Sequence, residues 1–358
     1  MEKRSFCYFG TYNPSSSRNK VYIEGLRKNS VKVLECRDLS PFFLRRYWRL
    51  LKKLWKIKNK YDVLIVGHPG HTVVPLARLI SRKKIVFNAL CSLSEVKFTS
   101  RNLYADQPLK RKISKVFTYL VDWLAFHSAD LVLVETNEQK KALFKKFRLS
   151  PKKLKRVFTG VNSENFYFDP KIEKRGKFTV VFRGMFLPEA GVKYVLEAAK
   201  ILEKHDVYFL IIGSGFLEKD IKRQIKKLKL KNLKLITKFL SCGKLREKML
   251  SCHLSLGQFE KNKRVKRTIP HKAFESLALK LPFITGRSAS VGEILENGKS
   301  CLFVNLADAK GIAKAILRLK NNKKLRQKIA RKGHQFYKRN LTAKILAKGL
   351  IKDIEGLF

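Results

Sequence analysis

The sequence predicts an α/β protein made of two doubly wound parallel sheets, and three observations carry that expectation. Short apolar strands alternate with helical patterns along the whole chain, which marks βαβ units because a parallel strand pair needs a crossover helix. With 358 residues, 45% apolar and 11% aromatic, there is enough material for two domains with real cores. A polar, proline-containing stretch at 168–177, FDPKIEKRGK, divides the alternation into two sets. The expected division is therefore 1–167, then 168–340, with 341–358 as a closing helix that packs back toward the first domain.

In the first set SFCYF is a strand, GTYNPSSS its exit loop, RNKVYIEGLRKN a helix and VKVLEC the next strand. FFLRRYWRLLKKLWKI has helical periodicity, DVLIV is a short buried strand, VVPLARLI a helix and KIVFNAL a strand. An irregular stretch follows, then a helix around KVFTYLVDWLAF and the strands ADLVLVE and KRVFTG. The second set runs FTVVFRG (strand), GVKYVLEAAKILEK (helix), VYFLIIGSG (strand), LEKDIKRQIKKLK (helix) and LKLITKF (strand). KLREKML, HLSLGQF, a basic stretch and CLFVN continue it, and helices finish the chain. In the last of these, Ile345, Leu346, Leu350, Ile351, Ile354 and Leu357 form one stripe that must pack on something.

The net charge of +51 invites a nucleic-acid reading. Lysine, however, decorates nearly every polar face, and no zinc-finger, RNA-recognition or helix-turn-helix pattern is present. Nucleic acid is thus not the expected partner; the excess reads first as a generally lysine-rich composition with some attraction to membranes, and next as attraction to an anionic lipid surface. The start, MEKRSFCYFG, lacks the apolar run of a signal peptide, and FTYLVDWLAFHSADLVLVE is too interrupted by Asp122, His127 and Asp130 to span a bilayer. Six scattered cysteines without a CxxC spacing read as reduced thiols of a cytoplasmic protein, not as a metal site.

The chemistry concentrates in KNKRVKRTIPHKAFESLALKLPFITG. Pro270 suits the first turn of a helix running to about Lys280. The amides at such a helix start favour phosphate. Arg264, Lys266 and Arg267 precede it and Lys272 lies in its first turn, so together they can neutralise a diphosphate. Glu275, about one turn further on, can accept hydrogen bonds from a diol such as a ribose. Two doubly wound domains bind ligands at the carboxyl ends of their strands, and the expected site is a cleft between them.

IPHKAFESLALKLPFITG resembles a segment of family 4 glycosyltransferases that carries a glutamate followed by alanines and a proline, with Glu275, Ala278 and Pro282 on the matching positions. FRGMFLPEAGVKYVLEAAKIL, VYFLIIGSG and SASVGEILENGKSCLFV are similar to further parts of that family, and YFGTYNPSSSRNKVYIEGLRKNSVKVLEC to its first βαβ unit. The resemblance implies a GT-B fold, two facing Rossmann-like domains, and transfer of a sugar with retention at the anomeric carbon. It implies a nucleotide-sugar donor, UDP- or GDP-linked, used without metal or other cofactor. It places Glu275 at the ribose, Lys272 and Arg267 at the diphosphate, and Gly184, Gly213, Gly215 and Glu293 in the donor site. Departures from the family are Arg267 for the usual first glutamate, Met185 and Ala190 where an Arg and a Lys grip the diphosphate, and Lys280 for a glycine. Asn88 stands where the branch tends to have aspartate. These departures keep a second reading open, a non-catalytic sugar- or nucleotide-binding member of the family.

In the first domain Gly10 and Asn13 of GTYNPSSS, His68 and His71 of GHPGHT, and Asn88 are candidates for contacts to the acceptor. The helix bearing Phe43, Arg46, Trp48, Lys52 and Trp55 mixes aromatics with cations, as an element at an anionic membrane surface would. A lipid-linked or glycan acceptor, and a role in cell-envelope polysaccharide or glycolipid synthesis on the inner face of the cytoplasmic membrane, follow from these two expectations together.

Overall fold

The computed structural model describes residues 4–358. Met1, Glu2 and Lys3, with which the expectation of a start without a signal peptide begins, lie outside the described residues. The chain divides into two compact units. One runs through Asn162 and takes back Thr342–Phe358; the other is Ser163–Leu341.

The first unit holds a parallel sheet of β1 (Ser5–Gly10), β2 (Lys32–Arg37), β3 (Val63–Val66), β4 (Lys84–Leu90), β5 (Leu131–Val134) and β6 (Leu154–Arg156), in the order β2-β1-β3-β4-β5-β6. Its inner strands are apolar without alternation, as sheets covered on both faces require. The order reverses direction at β1 alone, and crossovers are right-handed. Helix α1 (Ser17–Lys28) therefore covers one face, and α2 (Phe43–Lys56), α3 (Val73–Ile80), α4 (Pro108–Ser128) and α5 (Asn137–Phe147) cover the other. The second unit repeats the plan with β7 (Phe178–Arg183), β8 (Val207–Ile212), β9 (Leu233–Ile236), β10 (Leu254–Leu256), β11 (Phe283–Gly286) and β12 (Leu302–Val304), in the order β12-β11-β10-β7-β8-β9. Helices α6 (Val192–Ile201) and α10 (Ala309–Asn321) pack together, as do α9 (His271–Ala278) and α11 (Lys323–Asn340). The remaining helices of this unit are α7 (Glu218–Leu228) and α8 (Cys242–Leu250).

The final helix, α12 (Ala343–Glu355), lies on α1 of the first unit. Its stripe buries Leu346, Leu350 and Ile354. Gly25 makes the contact possible: a Cβ there would stand 2.2 Å from the Ala343 carbonyl oxygen. Asn29 Nδ2 donates to the Lys344 carbonyl at 2.9 Å.

The boundary lies after Asn162, not at 167. The reason is aromatic packing. Phe166 sits under the Arg183 guanidinium at 5.9 Å, Tyr167 under that of Arg246 at 3.9 Å, and Phe168 beside Lys280 at 4.7 Å, all within the second unit. The expected linker is also fastened there, since Lys174 Nζ donates to the carbonyls of Leu250 and Cys252 at 2.6 Å each. Pro270 caps α9 rather than occupying its first turn. Helix α4 begins at Pro108, well ahead of the expected start.

Candidate functional site

The second sheet turns back on itself between β7 and β10, and in open α/β sheets such a switch point opens a crevice at the strand carboxyl ends. The loops there approach each other through glycines. Gly213, after β8, lies so close to the end of β7 that a Cβ would stand 1.9 Å from the Gly184 carbonyl oxygen. Gly184 and Gly215 hold φ values of +145° and +142°, which side chains disfavour. A Cβ on Gly184 would also meet Lys272 Cε at 3.2 Å, so this glycine makes room for the lysine stem.

Helix α9 enters this region with a short apolar sequence that buries Lys272, Glu275 and Ser276 along with its core face. Glu275 is fully buried. Its Oε1 accepts from Arg183 Nη2 at 2.8 Å and meets His271 Nδ1 at 2.9 Å, whereas Oε2 has no hydrogen-bond partner among the described residues. Burial alone would raise the Glu275 pKa; Arg183, His271 and Lys272 outweigh it and hold the carboxyl below its usual range. The group is thus a fixed anion with one oxygen free to accept.

Lys272 Nζ donates to the Gly257 carbonyl at 3.3 Å and stands 3.7 Å over the Phe182 ring. Burial, with help from Arg183, brings its pKa down to about 7 although Glu275 and Glu189 pull it up. An anion arriving beside it would restore its charge. The other cations of the basic loop divide. Arg264 Nε is held by Glu189 Oε1 at 3.2 Å, which ties it to the loop after β7 and removes it from the expected pool of loose cations. Lys266 is exposed and Arg267 half-buried. The Lys266 carbonyl accepts from Ser290 Oγ at 2.7 Å, which pins the loop. Glu293 is half-buried at the end of the Val291–Glu293 turn. Met185 is exposed and Ala190 buried, so neither position carries a charge to a ligand.

The model for glycosyl transferases group 1 matches residues 163–336, nearly the whole of this unit. The second unit is a group 1 glycosyl transferase domain. Curated relatives include an uncharacterized glycosyltransferase of Methanocaldococcus jannaschii, 27% identical over 191 residues (51% of this chain, 48% of that protein). Another is the UDP-Gal:alpha-D-GlcNAc-diphosphoundecaprenol alpha-1,3-galactosyltransferase of Escherichia coli, 27% identical over 204 residues (52% and 49%). The chain spans about half the length of these relatives. Among solved structures, Anabaena Alr3699/HepE in complex with UDP-glucose shares the fold at 13% identity and TM-score 0.73, over 99% of this chain and 100% of that one. Sucrose-phosphate synthase of Thermosynechococcus elongatus does so at 13% identity and TM-score 0.76, over 99% of both chains. The two Rossmann-like units are of the GT-B type.

Sequence reasoning missed two residues of the candidate site. Arg183, at the carboxyl end of β7, and His271 are what hold Glu275. The HxxxE spacing of His271 and Glu275, one helical turn, was the available signal. Two exposed aromatics also stand past strand ends, Phe216 beside Gly215 after β8 and Phe239 after β9.

In the first unit the candidates separate. Gly10 closes β1 at φ +130°, and Asn13 is exposed with its Oδ1 capping the Ser15 amide at 2.8 Å. His68 is half-buried with Nδ1 against the Ala89 carbonyl at 2.9 Å. His71 is a core residue: it is buried against Phe87 and Phe126, with Nε2 on the Cys91 carbonyl at 2.9 Å. Burial lowers its pKa to about 4, so the ring is neutral. Asn88 is buried too, accepting from Arg18 Nε at 2.6 Å and donating to the Tyr8 hydroxyl at 2.9 Å. His71 and Asn88 are thus both buried and bonded within the first unit. On α2, Phe43, Trp48 and Trp55 are exposed beside Lys52, and Arg46 is half-buried over the rings of Phe43 and Tyr47.

Proposed function

We propose that the protein is a retaining, metal-independent glycosyltransferase of the hexosyltransferase type. It moves a sugar from a UDP- or GDP-linked donor to a glycan or lipid-linked acceptor in cell-envelope polysaccharide or glycolipid synthesis. One observation carries the reading: a buried carboxylate with a free Oε2, fixed by Arg183 and His271, stands one turn from a buried lysine at a sheet switch point. Such a pair suits a ribose diol on Glu275 and a diphosphate on Lys272 and the α9 amides, with Arg267 and Lys266 adding charge. Phe216 and Phe239 offer faces on which the base can stack.

In this reading the bond from the anomeric carbon to the diphosphate oxygen breaks as the acceptor oxygen bonds to that carbon on the same face. The acceptor's proton passes to the departing phosphate. No protein nucleophile is used; Lys272 and the helix amides stabilise the charge that develops on the diphosphate. The galactosyltransferase relative, whose name specifies a UDP-sugar and a diphosphoundecaprenol acceptor, supports a UDP donor and a lipid-linked acceptor. Gly10, Asn13 and His68 remain the acceptor-side candidates, and α2 the candidate for contact with the inner face of the cytoplasmic membrane.

The test is turnover of labelled nucleotide-sugars with a polyprenyl-diphosphate acceptor in the presence of EDTA. Wild type is expected to transfer sugar, and Glu275→Ala to lose at least ~100-fold while remaining folded. Wild-type turnover in that variant would remove the site. The uncharged Met185 and Ala190 favour a second reading, a member that binds the donor only; donor binding without transfer to any acceptor would establish it.

A further inference from the structure

A cavity of about 700 Å³ lies at the amino ends of strands in the second sheet. Lys174 precedes β7, His253 precedes β10, and Lys280 and Pro282 precede β11, while α11 forms the remaining wall. The crevice that holds Lys272 and Glu275 is at the other ends of these strands. Lys272 is in the first turn of α9 and Lys280 two residues past its last, about 12 Å apart along the helix axis. Seven lysines and arginines line the cavity, and no aspartate or glutamate among the described residues does.

Three features around it oppose the local fold unless negative charge is supplied. Helix α11 opens with Lys323 and Lys324 and has no acid in its first turn, the reverse of what the positive end of a helix favours. Lys324, Lys328 and Arg331 then follow at intervals of four and three, so like charges stack on one helix face. Lys280 holds φ +54°, a left-handed conformation that glycine takes at no steric cost. The fixed walls add to the same field. Arg326 Nη1 donates to the carbonyls of Leu319 and Lys320 at 2.6 and 2.9 Å, and Lys174 is held by those of Leu250 and Cys252. Burial, and then Lys174 and Arg326, bring the His253 pKa down to about 4. The ring is therefore neutral, and its Nδ1 accepts from the Thr179 amide at 3.0 Å. Local penalties of three kinds that share one missing partner mark a ligand site, where a solvated face would spread its charge.

We propose that this cavity binds a compact oligophosphate, either free or as the tail of a nucleoside triphosphate. Its phosphoryl oxygens meet the lysines that open α11, together with Lys280 and Arg331. Shape selects this class. The cations converge on one cavity from the segment before β7, the turn after α9 and α11, whereas a nucleic acid needs a groove with stacking aromatics. Phe168 is the one large apolar side chain of the lining among the described residues. Lys280 and His334 already flank its ring at 4.7 and 6.3 Å, so a lipid surface finds nothing there to receive. The inference goes beyond the transferase reading and does not rest on it, since no residue of the nucleotide site takes part.

The test is isothermal titration of tripolyphosphate into the full chain, with UDP saturating so that the nucleotide site is filled. Wild type is expected to bind one equivalent, and pyrophosphate about 5-fold more weakly because it meets fewer cations. Lys323→Glu, Lys324→Glu is expected to bind tripolyphosphate roughly 30-fold less tightly, and Lys280→Gly about 5-fold less. Both variants should melt no lower than wild type, since the first puts acids at a helix start and the second relieves a strained turn. Lys226→Glu, Lys227→Glu on α7 makes the same change of charge elsewhere and should bind as wild type does. UDP affinity, measured separately, should be unchanged in all of them. ATP titrated in the same way distinguishes the sources: binding tighter than that of tripolyphosphate assigns the tail of a nucleotide, and weaker or equal binding the free chain. Absence of saturable binding in wild type, wild-type affinity in Lys323→Glu, Lys324→Glu, or an equal loss in the α7 variant would overturn the proposal. So would displacement of tripolyphosphate by lower concentrations of a short single-stranded RNA, which would assign the cavity to nucleic acid.

Discussion

Lys272 offers a prediction whose size follows from its surroundings. Its buried ammonium titrates at about 7, against 10.5 for a free lysine. At pH 7 it is therefore about half protonated, and at pH 9 about 1% protonated. If a bound diphosphate returns it to the ordinary lysine value, binding takes up a proton wherever the free group is neutral. The complex then holds more protons than the free protein, so affinity must fall as pH rises above 7. Between pH 7 and pH 9 the fall for UDP comes to about 50-fold, or ~2.3 kcal/mol. The phosphates of UDP, with a second pKa near ~6, are ionised over most of this range and add little. Isothermal titration at pH 7, 8 and 9, in buffers of differing ionisation enthalpy, should show the fall and an uptake of about one proton per UDP at the alkaline end. Lys272→Met should bind weakly at every pH and without that slope. An affinity in wild type that stays flat across the range, or the same slope in Lys272→Met, would refute the reasoning.

Two glycines give independent tests. Gly213→Ala would drive a Cβ to 1.9 Å from the Gly184 carbonyl oxygen, backbone that cannot swing aside; urea denaturation should show a loss of about 2–3 kcal/mol together with weakened UDP binding. Gly25→Ala would place a Cβ 2.2 Å from the Ala343 carbonyl and 2.7 Å from Ala347 Cβ. It should loosen α12 from α1, read as faster amide exchange over 343–355 and a stability loss of about 1–3 kcal/mol, with UDP binding retained.

The strands were legible because buried parallel strands such as VLIV and LVLV are short, apolar and flanked by polar breaks. Helix α5 went unread: Thr136 caps the Gln139 amide at 3.0 Å ahead of Leu143 and Phe147, but charge-rich NEQKKALFKKF hides its narrow core stripe. The domain boundary was misplaced because FDPKIEKRGK looks solvated, and only packing shows that the neighbouring aromatics and Lys174 are fastened to the second unit. At the site, Glu275 and Lys272 could be read from their place in an apolar helix. Arg183 could not, since its pairing spans from β7 to α9 and no local pattern encodes it. Arg264 shows the reverse: a loop cation that looked free is paired with Glu189, far off in sequence. The burial of His71 and Asn88 was not legible for the same reason, because a buried polar residue with internal partners leaves no local mark.

The central claim is that the carboxylate of Glu275 receives a nucleotide's hydroxyls, and titration of UDP into wild type and Glu275→Gln at pH 7 tests it most directly. Wild type should bind with one site per chain. The variant, which stays nearly isosteric, should bind about 10- to 100-fold more weakly once the charged acceptor is lost. Equal affinity in a Glu275→Gln protein that melts as a folded chain would contradict the account.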